Sequence, residues 1–182
     1  MKTESTAMYI LRLALTLLII TGVVAAALAG VNSITAPKIA QHTYEKTQQA
    51  IEAVLPGGGE EVTDYPETAL VSKVYKGENG YAVEVTPGGF DNTITMMVGI
   101  DNEGNVLGID IISHTETAGL GAVADAATAA GEAFRAQFAG KSGSVTVTKD
   151  GGEIDSITGA TITSRAVCEG VNAALTCVAN MG

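Results

Sequence analysis

The sequence predicts an α+β fold in which a mainly antiparallel sheet with packed helices follows an N-terminal transmembrane helix. Three observations support this prediction. A long uncharged apolar stretch lies near the N-terminus, the middle of the chain holds pairs of alternating strands joined by turn residues, and helical patterns follow them. Strand and helix do not alternate regularly, so a parallel sheet is not expected.

Length and charge restrict the class of protein. A chain of 182 residues has room for one compact domain and one extra segment. Its formal net charge is −10, and its ten lysines and arginines are scattered along the chain. Nucleic-acid binding requires a clustered basic surface, so nucleic acid is excluded as a partner.

The apolar stretch predicts a membrane span that anchors the chain in a lipid bilayer. It runs without a charge from Leu13 to Val31, and a helix of that length nearly matches a hydrocarbon core of ~30 Å. Lys2 and Arg12 precede it, which favours a cytoplasmic N-terminus and a domain on the extracytoplasmic side. The competing interpretation is a cleaved signal peptide, because 27–29 resembles a small-residue cleavage site.

The remaining elements follow in order. Residues 32–37, with Pro37 in a first turn, predict the start of a separate juxtamembrane helix that reaches Pro56. Two hairpins come next, with strands predicted at 70–75, 81–85, 93–100 and 106–112. A helix over 122–138, a short strand over 144–148 and a last helix over 163–179 complete the chain. The predicted segments are 1–35 for the N-terminus and span, 36–68 for the juxtamembrane helix and linker, and 69–182 for the domain.

The two cysteines are predicted to be small buried residues. Cys168 and Cys177 lie nine residues apart on the last predicted helix. That spacing places them on opposite faces and about 13 Å apart along the axis, too far for a disulfide.

The segment before the last helix predicts a phosphate site. Residues 155–164 contain five hydroxyl side chains and two small residues at the start of a helix with a continuous apolar face. Unpaired N–H groups and the helix dipole favour an anion there, and Gly159 and Ala160 allow close approach to the backbone. The alternative is that Thr161, Thr163 or Ser164 only caps the helix.

The string 158–164, preceded by Asp155, resembles the flavinylation motif of the FMN-binding domain family. The G subunit of Rnf complexes and the C subunit of the sodium-pumping NADH:quinone reductase share this domain. The resemblance implies that a flavin transferase using FAD and Mg²⁺ attaches FMN to Thr161 through a phosphodiester. Asp155 matches the acidic position that opens the motif, and Thr158 matches its Ser/Thr position. The other residues implied at the cofactor are Gly159, Ala160, Thr163 and Ser164.

A second stretch, 114–121, is similar to the Glu-Thr-Pro-Gly-Leu-Gly loop that lies by the isoalloxazine ring in this family, with Ala118 in place of proline. The resemblance implies flavin contacts from five residues: Glu116, Thr117, Gly119, Leu120 and Gly121. His114 is interpreted as part of a solvated turn.

By resemblance, the chain is the electron-transfer subunit of a membrane-bound, ion-translocating ferredoxin:NAD oxidoreductase of the Rnf type. Other membrane subunits and iron–sulfur subunits are the implied partners. No catalytic side chain beyond the flavin is expected, and the separated histidines, His42 and His114, give no metal-ligand spacing. Two alternatives remain: the quinone-reductase C subunit, and a membrane-anchored binding or assembly protein without flavin.

Overall fold

The computed structural model describes residues 6–181 and the side chains of residues 8–181. Its elements are helix α1 (Thr6–Val54), strands β1 (Glu60–Val62), β2 (Val71–Lys76), β3 (Gly80–Val85), β4 (Thr95–Asp101) and β5 (Val106–Ser113), a 3₁₀ helix (Gly121–Ala124), α2 (Ala129–Ala136), a 3₁₀ turn (Thr148–Asp150) and α3 (Thr161–Ala179). The chain divides into two compact units, Met1–Tyr44 and Glu45–Gly182. The predicted segment limits at 35/36 and 68/69 stay a prediction.

In the first unit, residues 6–44 belong to α1, and every side chain from 8 to 44 is exposed. Many of these are large and apolar, and a continuous apolar surface of this kind marks contact with a membrane or another protein. By length and composition, α1 can cross a membrane, which fits a single-pass membrane protein. Lys2, which supports the predicted orientation, lies outside the described residues.

The predicted start of a separate helix at residues 32–37 is wrong, because α1 continues through Pro37. The hydroxyls of Ser33 and Thr35 donate to the carbonyls of Gly30 and Val31, at 2.9 and 2.7 Å. These side chains therefore bond within the helix and do not cap a new one. Proline removes only one backbone donor, and the helix tolerates that loss here.

The second unit contains a five-stranded antiparallel sheet in the order β1-β2-β3-β4-β5. Both predicted hairpins are confirmed, as β2–β3 and β4–β5, and β3 also pairs with β4. In the centre of the sheet, Val83 pairs with Val98, which pairs with Ile109. Strand β1 was not predicted, since it has only three residues, two of them exposed glutamates, and it lies at the edge of the sheet beside β2. The α+β prediction is confirmed.

Each of the two faces of the sheet packs against at least one helix. The larger cluster joins one face to α2, α3 and the segment between them, with Phe138, Ile154 and Val171 among its most buried members. The opposite face meets the end of α1, through Ala50, Ile51, Val54, Leu55, Tyr75, Ala82, Met97 and Ile112. Gly99 allows this second contact, because a Cβ atom there would lie 2.2 Å from the carbonyl oxygen of Val54.

Three predictions after the sheet need correction. The helix expected over 122–138 is interrupted, because the Thr128 hydroxyl accepts a hydrogen bond from the Gly131 amide and starts α2 at Ala129. The strand expected over 144–148 is wrong, since its one ladder contact is an isolated parallel bridge between Val147 and Ile154. The last helix begins at Thr161, two residues before the predicted start.

The predicted burial of both cysteines is confirmed. Cys168 and Cys177 lie on α3 with free thiols. Burial raises the pKa of the Cys168 thiol to about 11, so the thiol stays protonated at neutral pH.

Candidate functional site

The first turn of α3 has no side-chain cap among residues 8–181. Ala160 occupies the N-cap position, and its methyl side chain accepts no hydrogen bond. Thr161 is the first helical residue, so the interpretation of Thr161, Thr163 or Ser164 as a simple N-cap is wrong. The early amides of α3 are thus available to an external anion.

The loop before Thr161 is fixed by Gly159 and Ser164. Gly159 has a φ of +77°, a left-handed conformation that favours glycine. The buried Ser164 hydroxyl accepts from the amide of Ile157 and donates to the carbonyl of Ala160, both at 3.0 Å. Ser164 therefore holds the loop of residues 157–160 against the first turn of α3.

Glu116 joins three segments of the chain. Its side chain is 8% exposed. One carboxylate oxygen accepts from the amides of Phe90 and Asp91, at 2.8 and 3.5 Å, and the other accepts from the Thr163 hydroxyl at 2.5 Å. A buried carboxylate needs such partners, and these fix the 114–121 loop beside the start of α3.

Two glycines make room for this carboxylate. A Cβ atom on Gly89 would lie 2.2 Å from Glu116 Oε1, and one on Gly121 would lie 2.3 Å from Glu116 Oε2. Either contact would be a severe overlap, so the glycines and Glu116 form one packed unit.

The interpretation of His114 as part of a solvated turn is wrong. The His114 side chain is 17% exposed, and its Nε2 lies 3.6 Å from a carboxylate oxygen of Asp125. Its Nδ1 accepts from the Glu116 amide at 3.1 Å, which requires that Nδ1 carry no proton. His114 therefore holds the backbone of Glu116 in place through this hydrogen bond.

An open cavity of about 270 Å³ lies between the loop and the start of α3. It brings together most of the predicted residues: Glu116, Thr117, Leu120, Gly121, Gly159, Ala160, Thr161 and Thr163. Thr161 lines this cavity, and its hydroxyl accepts a hydrogen bond at 2.7 Å from Nζ of Lys149, which lines the same cavity.

Four predicted residues lie elsewhere. Gly119, Asp155 and Thr158 line a separate opening of about 610 Å³ that also contacts α2. Asp155 is anchored there by its backbone, which exchanges two hydrogen bonds with the Gln137 amide at 2.7 and 3.3 Å. Ser164 is buried beneath the loop.

Sequence reasoning missed three residues that line the cavity, namely Phe90, Lys149 and Ile162. Phe90 and Ile162 are exposed, although both are large and apolar. For Phe90, an aromatic residue directly after Gly88 and Gly89 was an available signal. The contact made by Lys149 comes from a distant turn, and its local sequence gave no sign of it.

Residues 8–181 contain no group of three or more His, Cys, Asp or Glu side chains that could hold a metal ion. The site instead combines a cationic side chain, the amide end of a helix and an apolar rim. That set of groups can hold a phosphate at the helix end and a flat apolar ring beside it.

Comparison with protein families defines the class. Residues 89–176, which contain the whole cavity, match the model of the FMN-binding domain. Residues 1–54 match the RnfG N-terminal region.

Individual relatives extend this result. The chain is 33% identical over 200 residues to the G subunit of the Na(+)-translocating ferredoxin:NAD(+) oxidoreductase complex of Acetobacterium woodii, covering 94% of this chain and 93% of the relative. It is also 33% identical over 186 residues to the G subunit of the ion-translocating oxidoreductase complex of Shewanella baltica, covering 90% and 84%. A third relative, the G subunit of the proton-translocating ferredoxin:NAD(+) oxidoreductase complex of Clostridium ljungdahlii, is 39% identical over 99 residues, covering 52% and 51%. The chain belongs to the family of G subunits of Rnf-type ion-translocating oxidoreductase complexes.

Proposed function

We propose that this chain is the electron-transfer subunit of a membrane-bound, ion-translocating ferredoxin:NAD oxidoreductase and relays electrons through an FMN attached covalently to Thr161. The observation that carries the proposal is the position of the Thr161 hydroxyl. Thr161 lines a cavity at the uncapped start of α3, and its hydroxyl is bonded to Lys149 of the same lining, within a stretch that matches the FMN-binding domain.

The groups around Thr161 fit an FMN phosphate. The first amides of α3 and the ammonium of Lys149 supply donors and positive charge, and Gly159 leaves the backbone accessible. We assign the phosphate to these residues, as a phosphodiester on the Thr161 oxygen.

The rest of the cavity fits the flavin ring. Phe90, Leu120 and Ile162 provide apolar surface, and Thr117 and Gly121 complete the wall. Glu116 acts as support, because its carboxylate oxygens are already bonded to Phe90, Asp91 and Thr163. When bound, FMN supplies a carrier that exchanges electrons with both one-electron and two-electron partners. The side chains position and shield it.

Asp155, Gly119 and Thr158 lie in the neighbouring opening. We propose that they act during maturation, at the surface that meets the flavin transferase. This assignment agrees with the resemblance of Asp155 and Thr158 to the flavinylation motif, and with their position outside the cavity.

We further propose that the N-terminus lies in the cytoplasm and the flavin domain on the extracytoplasmic side, with α1 as the anchor. Other membrane subunits and iron–sulfur subunits supply and remove the electrons, and the subunit has no turnover of its own. Fusing alkaline phosphatase or a fluorescent protein to the C-terminus tests the orientation. The phosphatase fusion should be active and the fluorescent fusion dark, whereas the reverse result would contradict the assignment.

The relay is tested in membranes that contain the whole complex. Thr161→Ala should abolish ferredoxin-dependent NAD⁺ reduction while the other subunits remain present in normal amounts. Thr63→Ala, an exposed loop threonine, is the matched control and should leave the rate unchanged. Normal NAD⁺ reduction in Thr161→Ala membranes would contradict the proposed function.

A further inference from the structure

Lys149 is the one cationic side chain that lines the cavity at Thr161 within the described part of the chain. Its ammonium donates to the Thr161 hydroxyl oxygen at 2.7 Å. The bond joins residues twelve positions apart, so it depends on the fold and not on local sequence. An ammonium has donors but no acceptor, so the hydroxyl proton of Thr161 points elsewhere.

The turn that carries Lys149 is tied to α3. Asp150 accepts two hydrogen bonds from the Arg165 guanidinium, both at 2.7 Å. Arg165 lies one helical turn after Thr161, so the pair holds the turn at the start of α3. The bond to Arg165 lowers the pKa of the Asp150 carboxyl, which keeps the pair ionised at neutral pH.

This pairing determines the charge at the site. Asp150 is paired with Arg165 and also feels the charge of Lys149, while the ammonium of Lys149 donates its hydrogen bond to a neutral hydroxyl. A positive charge therefore stands next to Thr161 in a chain whose net charge is −10. A phosphodiester on Thr161 would place a negative charge directly beside this ammonium.

We propose that Lys149 is the positioning residue for covalent attachment of FMN. It orients the Thr161 oxygen during the transfer and then neutralises the phosphodiester. The inference rests on the proposed function, which names Thr161 as the acceptor of FMN. It adds the residue that selects Thr161, among several nearby hydroxyl side chains, as the one that is flavinylated.

The transfer exchanges one P–O bond for another. The Thr161 oxygen forms a bond to the phosphorus on the FMN side of FAD, the P–O bond of the pyrophosphate breaks, and AMP leaves. The hydroxyl proton passes to a basic group of the transferase, and nothing is oxidised or reduced. Because the Lys149 donor occupies one lone pair of the Thr161 oxygen, it fixes the direction of the other lone pair and of the proton. After the transfer, the same ammonium donates to a phosphate oxygen that carries negative charge.

The test uses the full-length protein in detergent, made without its transferase. Purified transferase, FAD and Mg²⁺ are added, and the flavinylated fraction is followed by intact mass over time. Lys149→Met should lower the initial rate about 10- to 100-fold, as expected for the loss of one charge-assisted hydrogen bond. Lys149→Arg keeps the charge and the donors, and should remain within about threefold of the wild type.

The matched control is Lys141→Met. Lys141 belongs to the same domain, but its ammonium is paired with Glu153 and is absent from the cavity lining. This variant should be flavinylated at the wild-type rate. Thermal unfolding of every variant shows whether the fold is retained, and rescue by arginine separates a role of the charge from a general effect on folding.

Two results would overturn the inference while leaving the proposed function intact: a wild-type rate for Lys149→Met, or a rate for Lys149→Arg as low as that of Lys149→Met. A wild-type protein that gains no FMN, or gains it at another residue, would instead refute the proposed function, and the inference with it.

Discussion

At the scale of single residues, Glu116 organises the site. Its carboxylate is bonded to the 90–91 loop and to Thr163 at the start of α3, and its backbone amide is bonded to His114. The carboxylate therefore fixes the distance between two walls of the cavity. Small changes in the space around it should affect flavin loading without any change at Thr161.

Gly89→Ala tests this role of Glu116. The new Cβ atom would lie 2.2 Å from Glu116 Oε1 and 2.8 Å from the carbonyl oxygen of Asn92. We expect a loss of about 1–3 kcal/mol in the free energy of unfolding, as for other overpacked sites, and a lower flavinylated fraction. Chemical unfolding of the full-length protein in detergent measures the first effect, and intact mass measures the second.

The neighbouring Gly88 supplies the control. A Cβ atom there would meet no atom within 4 Å, so Gly88→Ala should leave both quantities near the wild-type values. Equal effects of the two substitutions would argue against a specific role of the space around Glu116.

The sequence indicates much of the site but not all of it. The motif around Thr161 and the 116–121 loop are continuous in sequence, and the structure brings most of their residues to one cavity. Lys149 enters from a turn whose position depends on tertiary packing, so no local pattern identifies it. Phe90 also enters from a distant segment, and its position directly after Gly88 and Gly89 was the one local signal for it. Asp155 and Thr158 illustrate the reverse case, because neighbours of Thr161 in the motif line another opening.

At the scale of elements, the end of α1 forms part of the domain. Residues Ala50, Ile51, Val54 and Leu55 cover one face of the sheet, and the carbonyl of Val54 lies directly over Gly99. A side chain at position 99 cannot fit beneath this helix. The contact makes the end of α1 a structural component of the domain.

Gly99→Ala should therefore destabilise the domain. The added Cβ atom would lie 2.2 Å from the Val54 carbonyl oxygen, a backbone atom that cannot move alone, and we expect a loss of about 1–3 kcal/mol. Gly108 pairs with Gly99 across the ladder, and a Cβ atom there meets no atom within 4 Å. Gly108→Ala should thus keep or raise stability in the same unfolding measurement. A larger loss for Gly108→Ala would contradict the described packing.

The elements also show why sequence patterns sometimes failed. The alternating strands and the apolar face of α3 were predicted because burial imposes their periods. Polar and apolar residues alternate in the stretch 144–148 in the same way, but the contact that it makes is an isolated bridge between Val147 and Ile154. A strand requires a partner strand, and the sequence of one segment does not specify its partner. Likewise, the hydroxyls of Ser33 and Thr35 could cap a new helix or bond to carbonyls within a continuing one. Because α1 continues, they do the second.

At the scale of the whole molecule, two acidic residues lie on the sheet face that also meets α1. Glu84 and Asp110 flank Met97 on β3 and β5, opposite it in the two ladders. Burial raises the pKa of the Asp110 carboxyl, and the charge of Asp125 adds to the effect, while Arg135 and Lys46 oppose it. Burial likewise raises the pKa of Glu84.

These shifts determine how stability depends on pH. A carboxyl whose folded pKa is raised binds its proton more tightly in the folded state, so its contribution to stability is present below the unfolded pKa. The contribution is lost as the pH rises through the folded pKa. Asparagine has no proton to lose in this range, so Asp110→Asn does not undergo this loss. The melting temperature of the variant minus that of the wild type should therefore be larger at pH 7 than at pH 4.

Asp64→Asn, at an exposed loop position, is the control and should show no such increase. Thermal unfolding of the full-length protein in detergent at both pH values provides the comparison. A difference for Asp110→Asn that is equal at pH 4 and pH 7, or smaller at pH 7, would show that burial does not govern this carboxyl.

The central claim of the proposed function is a covalent FMN at Thr161, in a domain that matches the FMN-binding domain family. The most direct measurement is the intact mass of the full-length protein produced with its flavin transferase, followed by sequencing of the modified peptide. We expect one added FMN, located on Thr161 and absent from Thr161→Ala. An unmodified wild-type protein, or an FMN that persists in Thr161→Ala, would contradict an electron relay through a flavin bound at this threonine.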